Sequence, residues 1–241
     1  MIASSYLLSA LLQFIIVLPF LFFGKAKFEK TEYRFLGIFA LMFLLWSVLT
    51  NGFGNIIINE NQTWNWLGKV AGLLLGVFFV YRNKLISKSE IGWTIKLKKG
   101  TVMPVIYTLL LVLLARLIIY LSFERVNPDF DLETLIFQGS LSGFCDELIF
   151  RGILLALLNK VFVAKEDVFG YSLSFGILIS SLLYGISQGF ILQEGYHLQI
   201  NLIRIFFGFL LGLIAALVKE RSGSLLPAVI FHNVWMLITN H

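Results

Sequence analysis

The sequence has little cysteine, histidine or charge, and each shortage excludes a class of function. One cysteine, Cys145, in 241 residues rules out an internal disulfide and a multi-cysteine metal site. The three histidines are widely separated and form no HExxH motif, so we predict neither a metal centre nor a cofactor. Charged residues make up 14% of the chain, whereas a soluble domain carries about a quarter. The net charge of +5 lies at the borders of apolar runs, which argues against a nucleic-acid partner.

Long apolar runs are what the sequence does contain. Hydrophobic residues make up 58% of it, and a helix needs roughly 20 of them in succession to cross a bilayer. The N-terminal run has neither a basic start nor a small-residue cleavage site, so we read it as a retained span. The sequence therefore predicts an all-α polytopic membrane protein, a single transmembrane domain over 1–241. We expect a bundle of about eight transmembrane helices at about 3–23, 35–50, 64–81, 102–122, 135–158, 170–192, 202–218 and 224–240.

The distribution of basic residues predicts the orientation of this bundle. Lysine and arginine concentrate in four segments between the runs, 25–34, 82–99, 160–165 and 219–221, against Arg125 alone on the other side. The positive-inside rule places the four basic segments in the cytoplasm. We therefore expect a multi-pass protein of the cell membrane with both termini outside and an acidic outer loop at 123–134.

Asp146, Glu147 and Arg151 lie within an otherwise apolar run, in the sequence CDELIFRG. A charge at mid-membrane costs about 3–10 kcal/mol, so its presence needs a reason. Glu147 and Arg151 are spaced i,i+4 and can form an ion pair. Asp146 points about 100° away from Glu147 and has no local partner, which favours a functional cavity over a purely structural cluster of salt bridges. Lys69 lies near a span end, where its ammonium group can reach the membrane border.

Two further spans place polar groups at depth. The sixth contains Tyr184 and Gln188, and the eighth contains His232 and Asn233 beyond a kink at Pro227. A carboxylate in a low-dielectric cavity can act as a general base, and a histidine or amide opposite it can hold a water and stabilise an oxyanion. Such a set suffices for attack of water on an amide. The same residue types also occur in ion or proton pathways, although we find no inverted repeat.

Glycine pairs indicate where the helices contact each other. Gly72–Gly76, Gly139–Gly143 and Gly208–Gly212 have the GxxxG spacing that allows close approach of helices. The second pair lies one turn above Asp146, so we expect a neighbouring helix to pack against the acidic span there.

Four segments resemble the CAAX protease and bacteriocin-processing (CPBP, or Abi) family of intramembrane glutamic endopeptidases, which includes proteins of bacteriocin immunity. DELIFRGIL at 146–154 resembles the family's first motif, SSLLYGISQGF at 180–190 the second, and SGSLLPAVIFH at 222–232 the last. SEIGWTIK at 89–96 is also similar to the family, so the resemblance covers about 89–235. It implies an eight-helix fold in the lipid bilayer and a membrane peptide or membrane-protein substrate. It also implies catalytic positions at Asp146, Glu147, Gln188 and His232, with Arg151, Tyr184 and Asn233 in support.

The sequence departs from the family pattern at three positions. Asp146 stands where the family usually has Glu, Gln188 where it has His, and Met236 where it has Asn. Glutamine cannot act as a base, and methionine cannot donate a hydrogen bond to an oxyanion. Two functions therefore stay open. One is an intramembrane endopeptidase of CAAX-protease type. The other is a catalytically inactive member that acts as a membrane scaffold or regulator and binds a partner protein through its outer loops or helices.

Overall fold

Each of the eight predicted runs contains a helical stretch in the computed structural model, which describes residues 2–25, 27–53, 63–123, 131–168, 170–192 and 196–239. Most of the predicted acidic outer loop, at 124–130, lies outside the described residues. The helices are α1 Ile2–Gly24, α2 Lys30–Ser47, α3 Trp66–Arg82, α4 Lys88–Ile91, α5 Val102–Phe123, α6 Leu132–Ile136, α7 Gly143–Glu147, α8 Leu155–Val161, α9 Phe175–Gly189, α10 Leu202–Ser222 and α11 Leu226–Thr239.

In the part of the chain that the structure describes, three π-helical segments continue these helices without breaking them. They are π1 Val48–Phe53, π2 Phe137–Ser142 and π3 Leu148–Leu154. The last two lie on either side of α7, so the short helix that carries both acidic residues has a widened turn before and after it. A π-helical turn shifts the backbone hydrogen-bond register, and such turns are frequent at functional sites.

Two small antiparallel hairpins correct the boundaries of the sixth predicted span. Strands β1 Lys165–Val168 and β2 Tyr171–Ser174 pair before α9, and β3 Phe190–Leu192 and β4 Leu198–Ile200 pair after it. The helix is therefore shorter than the apolar run, because the Ser174 hydroxyl accepts the Ile177 N–H and caps its start. A hydropathy pattern alone does not predict where such a cap begins the helix.

Among the described residues, four helical stretches are long and apolar enough to cross a membrane by themselves. They are Ser5–Gly24, Lys30–Gly52, Val102–Ser122 and Leu202–Ser222, while α9 and α11 are shorter apolar helices. The helical run from α6 to α8, which carries Asp146 and Glu147, is buried from Leu148 to Leu158. This run therefore forms the centre around which the other helices pack. The predicted fold class, an all-α polytopic membrane bundle, is confirmed.

The four basic segments meet at one end of the bundle. The Phe28 ring lies 6.3 Å from that of Phe162, which follows α8. Lys160 forms an ion pair with Glu90 of α4, and the Lys98 N–H donates to the Ser222 carbonyl at 2.8 Å. The chain is therefore a multi-pass protein with one basic pole.

Candidate functional site

Glu147, the last residue of α7, has two close polar partners in the centre of the bundle. Its Oε1 lies 2.7 Å from Nδ1 of His232, and its Oε2 lies 3.3 Å from Nε of Arg151. All three side chains have no exposed surface. Arg151 follows one helical turn later, as the i,i+4 spacing predicts. Because an unpaired buried charge is costly, each of these groups depends on the others to remain in the core.

Tyr184 of α9 covers the other side of this pair. Its hydroxyl lies 3.4 Å from Nε2 of His232, and its ring lies 4.3 Å from the Arg151 guanidinium carbon. A neutral His232 that donates from Nδ1 to Glu147 accepts at Nε2 from the Tyr184 hydroxyl. Three helical elements thus fix one imidazole ring between a carboxylate and a phenol.

Asp146 has a partner that sequence analysis missed. Its Oδ1 lies 2.5 Å from Nζ of Lys69, and the two side chains are only 4% and 18% exposed. The expectation that the Lys69 ammonium group reaches the membrane border is therefore corrected. The partner of Asp146 comes from a distant helix, in line with the expectation that it has no local partner.

The close approach of α3 explains this ion pair. A Cβ at Gly72 would lie 2.6 Å from Thr50 and 3.0 Å from Sγ of Cys145, so glycine is what lets α3 contact α7. Lys69 lies one turn before this contact. One feature of the sequence indicates this contact. Lys69 follows Gly68, and Gly68 extends the Gly72–Gly76 pattern of close helix contact by one turn.

Asn233 joins α11 to the helix that carries the acidic residues. Its Oδ1 accepts the Gly143 N–H at 2.9 Å, and its Nδ2 donates to the Gly139 and Ser140 carbonyls at 3.0 and 3.3 Å. These backbone groups lie in and beside π2, where the hydrogen-bond register of the helix shifts. The neighbouring helix predicted at Gly139–Gly143 is thus α11. The Asn233 side-chain amide forms its hydrogen bonds with backbone groups of the acidic helix.

Gln188 and Met236, two of the positions that depart from the family pattern, are not part of this cluster. A Cβ at Gly208 would lie 3.1 Å from Cγ of Gln188, so the glutamine stem packs on the glycine face of α10. Within the described residues, no hydrogen bond joins Gln188 to Asp146, Glu147 or His232. Met236 packs against the apolar core.

The remaining candidate groups have structural surroundings. Cys145 is buried against Gly72 of α3. Arg116 lies over the rings of Phe207 and Trp235 at 5.2 and 5.6 Å, and Arg204 is exposed on the first turn of α10. In the part of the chain that the structure describes, no cluster of three His, Cys, Asp or Glu side chains could hold a metal ion.

Comparison with protein families places the second half of the chain beside a known family. Residues 128–238 match the family described as Rce1-like, type II CAAX prenyl endopeptidase, and this segment contains Asp146, Glu147, Tyr184 and His232. The match confirms the resemblance indicated by the sequence motifs and supports an intramembrane protease kind of function. The chain has no significant match among curated proteins or among solved structures.

Proposed function

Because residues 128–238 match the Rce1-like family of type II CAAX prenyl endopeptidases, we propose that this protein hydrolyses a peptide bond in a membrane-associated peptide or protein. The observation that carries the proposal is the contact between Glu147 and His232, 2.7 Å apart and fully buried. A carboxylate bonded to an imidazole is a unit that can take a proton from water and return it to a leaving group.

The chemistry needs only water and the peptide. The Glu147–His232 pair accepts a proton from water as its oxygen bonds to the peptide carbonyl carbon. The resulting oxyanion forms beside the fixed positive charge of Arg151, which lowers its energy in a low-dielectric site. The C–N bond then breaks, and the proton passes to the leaving amine. Tyr184 orients the imidazole through its hydroxyl, and Arg151 pairs with the second oxygen of the Glu147 carboxylate.

Asp146 has a supporting role in this scheme. Its carboxylate is neutralised by Lys69 at 2.5 Å, so its charge is already committed to an ion pair. Glu147 also pairs with an arginine, but its other oxygen contacts His232, so Glu147 is the carboxylate that can exchange a proton with the imidazole and takes the position of acting base. Since Glu147 and His232 have no exposed surface, the bundle must open to admit water and peptide to this pair. The catalytic assignment of Gln188 stays a prediction.

Lys69 also bears on domain organisation. It lies in α3, outside the matched segment, and pairs with an acidic residue inside it. This contact supports our proposal that residues 1–241 form one functional membrane domain. The basic pole supports the placement of that end in the cytoplasm of a cell-membrane protein with both termini outside.

A second candidate function is a catalytically inactive scaffold or regulator of a partner protein. Two features favour it, namely the Lys69–Asp146 ion pair and the presence of Gln188 and Met236 at motif positions. In this case the buried polar cluster stabilises the bundle, and the outer loops or helices bind the partner.

Cleavage by protein reconstituted in liposomes separates the two functions. A library of membrane-inserting peptides is incubated with wild type and Glu147→Gln, and products are identified by mass spectrometry. Glu90→Gln, the same chemical change at the basic pole, is the matched control. We expect products from wild type and Glu90→Gln, none from Glu147→Gln, and more from Gln188→His, which restores a titratable ring. If folded wild type and Gln188→His both yield no product while a cellular phenotype survives Glu147→Gln, the scaffold function replaces the protease.

A further inference from the structure

A polar cavity of about 510 Å³ lies at the basic pole of the bundle, apart from the Glu147 site. Its wall includes Lys96, Lys98 and Lys219, together with Glu90, Glu220 and the hydroxyl of Ser89. Glu90 is paired with Lys160 and Glu220 with Lys219. Positive charge therefore exceeds negative charge around the cavity, and Lys96 and Lys98 are both exposed.

An apolar groove of about 500 Å³ adjoins this cavity. It is lined by Trp93, Ile95, Phe144, Leu225, Leu226 and Val229, and it shares Thr94 with the polar cavity. Ile95 is 79% exposed, so the groove opens outward from the bundle and does not lead into its core. Polar and apolar volumes thus lie side by side along one segment, 92–98.

That segment is held in place by the turn between α10 and α11. The Leu225 N–H donates to the Gly92 carbonyl at 3.0 Å, and the Lys98 N–H donates to the Ser222 carbonyl at 2.8 Å. The Ser224 hydroxyl donates to the Thr94 carbonyl. Both cavities are therefore preformed by backbone contacts, and a ligand need not order the segment when it binds.

The two lysines at the cavity mouth retain donors for a ligand. Lys98 donates to the Glu220 carbonyl at 3.1 Å, which uses one of its three ammonium protons. Among the described residues, no carboxylate forms an ion pair with Lys96 or Lys98. Its hydrogen bond to the end of α10 gives Lys98 a structural role, but no such bond to a described residue explains the presence of Lys96.

We propose that these adjoining cavities bind an anionic phospholipid, with the phosphate at Lys96 and Lys98 and an acyl chain in the groove beside Trp93. The cavities lie where α10 ends and α5 and α11 begin, which is the level of the headgroups for a helix that spans the bilayer. Charge complementarity selects an anionic headgroup, and the apolar groove distinguishes a lipid from a free anion. Phe144 and Val229 place the chain against α7 and α11, the two helices that carry Glu147 and His232.

Quenching of Trp93 by brominated acyl chains tests the proposal. The purified protein in detergent is titrated with brominated phosphatidylglycerol or brominated phosphatidylcholine, and the Trp93 contribution is the difference from Trp93→Phe. We expect half-maximal quenching at a lower mole fraction of phosphatidylglycerol than of phosphatidylcholine. Lys96→Ala/Lys98→Ala should weaken the phosphatidylglycerol response roughly 30-fold, since each lysine at a membrane surface contributes substantially to binding anionic lipid.

Matched variants separate a specific site from general attraction. Lys30→Ala/Lys84→Ala removes the same charge from the same pole outside the cavities and should leave the titration unchanged. Ile95→Ser, at an exposed position, should weaken quenching by both lipids. Equal quenching by the two lipids, or equal loss in both double variants, would overturn the proposal. Displacement of the brominated lipid by inorganic phosphate, or by an acidic amphipathic peptide at lower concentration than unbrominated phosphatidylglycerol, would assign the cavities to those ligands instead.

Discussion

Replacement of Gly143 by alanine should separate α11 from the acidic helix. A Cβ at this position would lie 2.2 Å from Oδ1 of Asn233 and 3.1 Å from Cβ of His232. Restoring an ordinary contact of about 3.4 Å requires a shift of about 1 Å, which overpacks the interface at about 1–3 kcal/mol. Loss of the hydrogen bond from the Gly143 N–H adds about 1–3 kcal/mol. We expect Gly143→Ala to destabilise the protein by about 2–6 kcal/mol, the sum of these two costs, and to reduce cleavage, because His232 moves with α11.

Gly139→Ala is the matched control for this prediction. A Cβ at Gly139 would meet only Leu237, at 3.8 Å, which is ordinary contact. Thermal unfolding in detergent should show a melting temperature lower by about 4–24 °C for Gly143→Ala and nearly unchanged for Gly139→Ala. Equal effects of the two substitutions would show that the packing of α11 on Gly143 is not what positions His232.

Three further changes probe the buried and surface ion pairs. Lys69→Met should destabilise the protein by about 3 kcal/mol, and adding Asp146→Asn should recover most of that loss in a double-mutant cycle; additive losses would refute the pairing. Arg151→Leu leaves Glu147 partnered by His232 alone and should cost about 3–5 kcal/mol, so a wild-type unfolding curve would contradict it. At Glu90, partial burial raises the pKa, but the hydrogen bond from the Lys160 ammonium and those from Ser87 outweigh it and lower the pKa from 4.5 to about 2. This stabilisation is present above about pH 4.5 and is lost as pH falls towards 2, so acid should destabilise wild type more than Glu90→Gln, and identical pH profiles would count against it.

Contacts that follow from helix periodicity could be predicted from the sequence. The Glu147–Arg151 pair is one turn apart, and the Gly139–Gly143 spacing indicates a helix contact whichever helix supplies it. The basic pole also follows from local composition. Each of these inferences uses only the geometry of a single helix and its borders.

Contacts between distant helices could not be predicted in this way. Lys69 and Asp146 are 77 positions apart, and their pairing depends on the depth and rotation at which α3 packs on α7. The π-helical turns beside α7 shift the register there, so ideal helical angles misplace the side chains that follow. Gln188 lies one turn after Tyr184, yet it packs against Gly208 and not in the polar cluster. The spacing along one helix predicts that Tyr184 and Gln188 share a site. It carries no information on where α10 packs, and α10 is the helix that Gln188 contacts.

The most direct test of the proposed chemistry compares the two adjacent acidic residues in one cleavage assay. Asp146→Asn and Glu147→Gln are isosteric, and each removes one carboxylate charge. Once the liposome assay identifies a cleaved peptide, kcat/KM is measured for both variants after circular dichroism shows equal helix content. We predict that Glu147→Gln lowers kcat/KM by about 10²–10⁴-fold, the usual contribution of a positioned acid–base group, while Asp146→Asn keeps activity within about tenfold of wild type. The reverse order, with activity lost in Asp146→Asn and kept in Glu147→Gln, would contradict the assignment of the Glu147–His232 pair.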